Sequence, residues 1–176
     1  MISKRSKNSP GFTLTEMLVV VGIIVALTAI AIPVGNRALR SSRKSACLGN
    51  LRQIGVGLES WLQDHNNVMP ELAAGRSNKT ENVPVLDTLL VDYVSSPDVF
   101  RCPEDRELFT QSGSSYLWNT TQNGRHKTQL SFFGATEASR IPLVTDKESW
   151  HGEEDGVNML YADYAASGKF TFSTSH

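Results

Sequence analysis

The sequence is poor in the residues that usually carry catalysis and metal binding. Its 176 residues include two cysteines and four histidines. No two of the histidines have the short spacing typical of zinc ligands, and the aspartate-rich loop pattern of calcium sites is missing. We therefore expect no enzyme active site. The four histidines are His65, His126, His151 and His176.

A strong net charge is also missing. The 17 basic and 18 acidic residues give a formal net charge of −1, and this balance argues against nucleic-acid binding as the main function. The charges are nevertheless uneven, since the chain beyond position 60 has 16 acidic residues against 9 basic ones. A basic block precedes it, formed by Arg37, Arg40, Arg43, Lys44 and Arg52. This block is either a surface facing solvent or lipid headgroups, or a contact for the acidic part of a neighbouring molecule.

One long apolar run stands out against this background. It extends from Met17 to Ile32 without a charge, and Glu16 immediately precedes it. The segment 12–34 would be about 34 Å long as a helix, enough to cross a bilayer core of about 30 Å. A carboxylate in such a segment costs roughly 2.5–3.5 kcal/mol on insertion scales, which favours a functional role. Upstream lie a basic leader (Lys4, Arg5, Lys7) and a Gly11-Phe12 junction.

These features, in this order, resemble the N-terminal signature of type IV prepilins and type II secretion pseudopilins. The resemblance implies that a prepilin peptidase cleaves after Gly11 and N-methylates Phe12, and that Glu16, the fifth mature residue, serves in assembly. It implies a structural filament subunit with no catalytic activity. Its partners would be the peptidase, other pilin or pseudopilin subunits and an inner-membrane assembly platform, with no nucleic acid among them. The subunit would cross the inner membrane once, with its leader cytoplasmic and its C-terminal domain periplasmic.

A simpler interpretation of the same segment is a signal anchor with an incidental glutamate near its end. The chain would then be a membrane-tethered periplasmic binding or enzymatic domain. Its site would be formed by His126, His151 and the late aspartates. The mature N-terminus separates the two interpretations, because methyl-Phe12 indicates a filament subunit and an intact Met1 indicates an anchor.

The rest of the pattern predicts a pilin-like α+β fold. Cys47, Leu51, Ile54, Leu58 and Trp61 recur at alternating steps of four and three, which is typical of an amphipathic helix. We expect one long helix that ends near His65, at an Asn-rich stop. The expected order is a cleaved leader (1–11), a transmembrane helix half (12–34), an amphipathic helix half (35–66) and a region of loops and antiparallel sheet (67–176).

Short aromatic and β-branched segments bounded by turn residues predict the strands of that sheet. We also expect a short helix at 86–94, and a close approach of the sheet to Gly55 and Gly57, which are costly in a helix. The predicted strands are Tyr116–Trp118, Leu130–Phe133, Pro142–Thr145, Asn158–Ala162 and Lys169–Phe172.

The globular part also resembles one pseudopilin subgroup, in the segment Val99-Phe100-Arg101-Cys102-Pro103 and in an H-G…N-x-L-x-A-D pattern that starts at His151. Tyr164-Ala165 stands where that pattern has Gly-His, so we expect Gly168 to supply the turn glycine. Major pseudopilins of the type II system often hold calcium in C-terminal loops. The resemblance makes Asp146, Asp155 and Asp163 calcium candidates, against the alternative of a solvated acidic turn; we expect no other cofactor.

Cys47 and Cys102 leave two alternatives open. They form a disulfide if the domain faces an oxidising compartment, or Cys47 is a buried free thiol on the apolar helix stripe.

Gly11→Val tests the cleavage junction. Gly11 has no Cβ, so a peptidase can approach its backbone closely. We expect the variant to stay uncleaved, at precursor mass and in the membrane fraction, as measured by immunoblot and mass spectrometry. Mature protein of normal size from this variant would contradict the prepilin interpretation.

Overall fold

A computed structural model describes residues 13–151 and 156–168. The chain divides into two compact units, residues 1–39 and 40–176. The helices and strands form an α+β arrangement in which a long helix precedes a small antiparallel sheet. The helices are α1 (Leu14–Asp64), α2 (Leu86–Leu89) and α3 (Leu108–Ser112), and the strands are β1 (Tyr116–Trp118), β2 (Pro142–Asp146), β3 (Met159–Tyr161) and β4 (Ala166–Ser167).

Helix α1 begins at Leu14, contains Pro33 and ends at Asp64. Its predicted stripe is confirmed, because the five stripe residues from Cys47 to Trp61 are all buried. Two asparagines stop the helix, since Asn66 and Asn67 have the left-handed φ values of 55° and 58° that asparagine tolerates. The periodicity and the stop signal therefore place the second half of this helix correctly.

The four strands pair in sequence order, each antiparallel to the next. Tyr116 pairs with Asp146, and Val144 pairs with Leu160, so β2 lies between β1 and β3. The prediction of a strand at Leu130–Phe133 is wrong. This segment makes an isolated two-residue bridge, between Phe132 and Ala135, because a tight turn folds it back on itself. The predicted strand at 169–172 lies outside the described residues.

The two-residue strand β4 was not predicted, and the turn before it differs from our expectation. Tyr164 takes the left-handed conformation there, with φ of 63°, while Gly168 does not. The expectation that Gly168 supplies the turn residue is therefore wrong. Tyr164 also connects the turn to α1, because its hydroxyl donates a hydrogen bond to Glu59. Lys127 completes this contact with an ion pair of 2.6 Å to Glu59.

Gly55 and Gly57 differ in what approaches them. A Cβ at Gly55 would lie 3.1 Å from Leu160 of β3, so the predicted approach of the sheet is confirmed there. A Cβ at Gly57 would lie 2.9 Å from Val94 and 3.1 Å from the Tyr93 carbonyl oxygen. The prediction is wrong for Gly57, since the loop after α2 covers it. The predicted helix at 86–94 is real but stops at Leu89.

Replacing glycine by alanine at two positions of α1 tests this packing. Gly57→Ala should lower the free energy of unfolding by about 1–3 kcal/mol, because the new methyl group collides with Val94 and the Tyr93 backbone. Gly49→Ala is the matched control, since nothing lies within 4 Å of its Cβ position. It should raise the same free energy by about 0.5–1 kcal/mol through helix propensity. Denaturant unfolding of the full chain in detergent measures both, and a neutral Gly57→Ala would contradict the close approach.

Candidate assembly site

The first turn of α1 is held by a reciprocal pair of hydrogen bonds between Thr13 and Glu16. The Thr13 backbone N–H donates to Glu16 Oε2 at 2.8 Å, and the Glu16 backbone N–H donates to Thr13 Oγ1 at 3.3 Å. The Thr13 hydroxyl also donates to Glu16 Oε2, at 2.7 Å. This arrangement is a capping box, in which the N-cap and the third helical residue satisfy each other's backbone donors.

Our sequence analysis missed this role of Glu16. The signal was present, because Thr13-Leu14-Thr15-Glu16 has the spacing of a capping box before an apolar run. Glu16 is thus a local cap in the isolated chain, whatever it contacts in an assembly. Gly11 and Phe12 lie outside the described residues, so their processing roles stay predictions.

After Glu16 the helix presents apolar side chains on every side. Leu18 and Ile30 expose 69% and 67% of their surface. Thr28 is compatible with this environment, because its hydroxyl donates to the Ile24 carbonyl at 2.9 Å. Among the described residues, α1 is the one helix long and apolar enough to cross a membrane. All of residues 13–46 are exposed except Lys44, which is half-buried.

The basic block lies on α1 beyond this apolar part, and a groove in the globular unit offers opposite charge. The groove has a volume of about 370 Å³, and three glutamates, Asp105 and Arg106 contribute to its lining. Arg43 forms an ion pair of 3.5 Å with Glu104 at this groove. The remaining two glutamates of the lining are Glu107 and Glu148.

A disulfide joins Cys47 of α1 to Cys102, and both residues are fully buried. Two hydrogen bonds hold the Cys102 segment in place. The Asn50 side chain donates to the Arg101 carbonyl at 2.7 Å, and the Cys102 N–H donates to Ser115 Oγ at 3.0 Å. A disulfide is typical of proteins exposed to an oxidising compartment.

The buried carboxylate of Asp105, which also contacts Ser115, orders the chain after Cys102. Asp105 is 3% exposed and accepts the backbone N–H groups of Glu107, Leu108 and Phe109 at 2.8–2.9 Å. It also accepts the Ser115 hydroxyl at 2.5 Å. Both carboxylate oxygens of Asp105 therefore accept hydrogen bonds within the fold, and these bonds stabilise the start of α3.

The calcium candidates do not occupy similar positions. Asp146 is buried at the end of β2, whereas Asp163 is exposed in the turn before β4, where it accepts the Ala165 N–H at 3.0 Å. Asp155 lies outside the described residues. The calcium site therefore stays a prediction.

The histidines of the alternative, enzymatic interpretation have separate neighbours. His126 contacts the Thr128 hydroxyl at 2.8 Å, while His151 contacts Cys102 and Asp146. His65 stacks on Trp61 with ring centroids 3.8 Å apart, which is a packing contact. His176 lies outside the described residues.

Comparison with known proteins addresses the N-terminal signature directly. A family profile described as the prokaryotic N-terminal methylation motif matches residues 6–32. The chain is also 35% identical over 66 residues to the ComG operon protein 3 homolog of Bacillus licheniformis, which covers 38% of this chain and 68% of that protein. The chain belongs to the type IV prepilin and pseudopilin family. No solved structure shows significant similarity to it.

Membership of this family agrees with the architecture. The long N-terminal helix and small antiparallel sheet make a pilin-like α+β fold, and the chain is a pilin-like subunit of a type IV pilus-like system. Proteins of this kind are structural.

Proposed function

We propose that the protein is a filament subunit of a type II secretion pseudopilus or a related type IV pilus-like filament. A prepilin peptidase removes residues 1–11 and N-methylates Phe12. The observation that carries the proposal is the exposed apolar surface of α1 with a single carboxylate, Glu16, between Thr13 and Asn36. This surface needs lipid before assembly and neighbouring helices after it. The subunit is structural and has no catalytic role.

The proposed topology places the leader in the cytoplasm and the globular unit outside it, with an inner-membrane platform as the assembly partner. The Cys47–Cys102 disulfide supports this orientation, because disulfides persist in oxidising compartments. In the filament, the basic block of one subunit faces the acidic groove of another. Arg37 and Arg40 are exposed on α1 and suit such a contact with Glu107 and Glu148.

Glu16 is proposed to pair with the Phe12 ammonium of an adjacent subunit. The pair would lie among apolar helices, where losing one partner of a buried ion pair typically costs about 3–5 kcal/mol. The pair would fix the axial register of the subunits. It competes with the capping box, since the same carboxylate accepts hydrogen bonds from Thr13.

Three substitutions separate the charge of Glu16 from its cap. Glu16→Gln keeps a capping-box residue but removes the charge, and Glu16→Leu removes both. Thr13→Ala keeps the charge but removes the hydroxyl cap, at about 1 kcal/mol. We expect both Glu16 variants to be cleaved and membrane-resident yet absent from sheared filaments, whereas Thr13→Ala assembles. Cross-linking between positions 12 and 16 of different subunits should fall in parallel.

The outcomes distinguish the mechanisms and the function classes. Normal assembly of Glu16→Gln would show that the charge is incidental, and the ion pair would be wrong. Failure of Thr13→Ala alone would assign assembly to the cap. A purified protein with an intact Met1, unaffected by any of the three changes, would instead support a signal-anchored binding or enzymatic domain. Mass spectrometry of the N-terminus identifies methyl-Phe12 or Met1.

A further inference from the structure

The disulfide has two polar neighbours that the assembly mechanism does not use. His151 Nε2 lies 3.6 Å from Cys102 Sγ and 3.5 Å from Asp146 Oδ2. The two sulfur atoms and one ring nitrogen of His151 all lie within 4.8 Å of one another. The side chains of His151 and Asp146 are 2% and 0% exposed, so the four groups form a cluster closed to solvent.

We propose that Cys47, Cys102 and His151, with Asp146 as the fourth ligand, bind one zinc ion when the disulfide is reduced. Two cysteines, one histidine and one carboxylate are all established ligand types for zinc. Thiolate sulfur selects zinc over calcium or magnesium, which prefer oxygen. A buried site with four protein ligands is typical of structural zinc.

One ligand-to-ligand distance already suits a tetrahedral ion, and the others require movement after the disulfide is broken. With bonds of about 2.3 Å to sulfur and about 2.0 Å to nitrogen, ligand sulfur and nitrogen atoms lie roughly 3.5 Å apart. The distance from Cys102 Sγ to His151 Nε2, 3.6 Å, matches this edge. The two sulfur atoms are covalently bonded in the disulfide and must separate to roughly 3.8 Å, which breaking their bond permits.

Asp146 provides an independent sign that this cluster can accept a cation. It is 2% exposed, its Oδ2 accepts the Asn158 N–H at 2.8 Å, and its Oδ1 has no hydrogen-bond partner among the described residues. Since Asp146 is not within 4.8 Å of both sulfur atoms, its side chain must rotate toward them to complete the set.

The change from the disulfide to the zinc site takes two steps. The disulfide is first reduced by two electrons, and zinc then replaces the two thiol protons. A dithiol supplies two electrons and two protons and closes to its own disulfide, while Cys47 and Cys102 become thiols. Zinc then displaces both thiol protons to solvent, since thiolates are the ligands. The bound ion therefore takes the place of the covalent link between α1 and the Cys102 segment.

Zinc titration of the full chain in detergent tests the proposal. The protein is reduced with a phosphine, which becomes its oxide, and excess reductant is removed under argon. We expect about one zinc ion per reduced chain, measured by mass spectrometry of the metal, and none per unreduced chain. Cobalt substitution should give the visible absorption of a tetrahedral site with thiolate charge-transfer bands.

Matched histidine variants locate the site. His151→Ala should weaken zinc binding at least about tenfold, and Asp146→Asn by about 10–100-fold, whereas His126→Ala should leave it unchanged. Circular dichroism of the unreduced variants checks that each one folds. Reduced protein with no bound zinc, equal binding by unreduced protein, or equal losses for His151→Ala and His126→Ala would each overturn the proposal. A reduced chain that binds zinc only after unfolding would give this last outcome, because the two histidines would then be equivalent.

Discussion

Helix α1 carries two different apolar surfaces along one continuous backbone, and each surface needs a different covering. Beyond Cys47 its apolar side chains form a stripe, and the sheet and loops of the chain bury that stripe. Before Cys47 the apolar side chains surround the helix, and nothing in the described part of the chain covers them. The first surface folds the domain, and the second surface requires lipid or other copies of the helix.

The exchange of lipid for neighbouring helices gives little hydrophobic free energy, because acyl chains are as apolar as leucine. Specific contacts must therefore decide whether and how the helices pack. Glu16 is the one charged group available between positions 13 and 36. Replacing an N-cap residue such as Thr13 typically costs about 1 kcal/mol, whereas an unpaired partner in a buried ion pair costs about 3–5 kcal/mol. On these magnitudes, the cap governs the free subunit and the proposed ion pair governs the filament.

Sequence reasoning succeeded where one local period determines the structure. The stripe from Cys47 to Trp61 and the asparagine stop are local features, and the structure has both. It failed at Leu130–Phe133, where aromatic residues suggested a strand but a tight turn at Phe133 and Gly134 limits pairing to one bridge. It also missed β4, since two residues are too few to show alternation.

The cluster around the disulfide shows a different limit of sequence reasoning. Its members are far apart in the sequence and have no ligand spacing, so no motif search would find them. They meet because α1, the Cys102 segment, the end of β2 and the following turn pack together. The Glu16 capping box is the opposite case, because its Thr-x-x-Glu spacing is a local signal in the sequence.

Cys47 is the first buried residue of α1, so the disulfide fixes the helix where its burial begins. The disulfide there closes a separation of 55 residues, which by chain entropy stabilises the fold by about 4 kcal/mol. A zinc ion held by the same two sulfur atoms would close the same loop and add contacts to β2 through Asp146. The second half of α1 would then stay linked to the Cys102 segment in both oxidising and reducing surroundings.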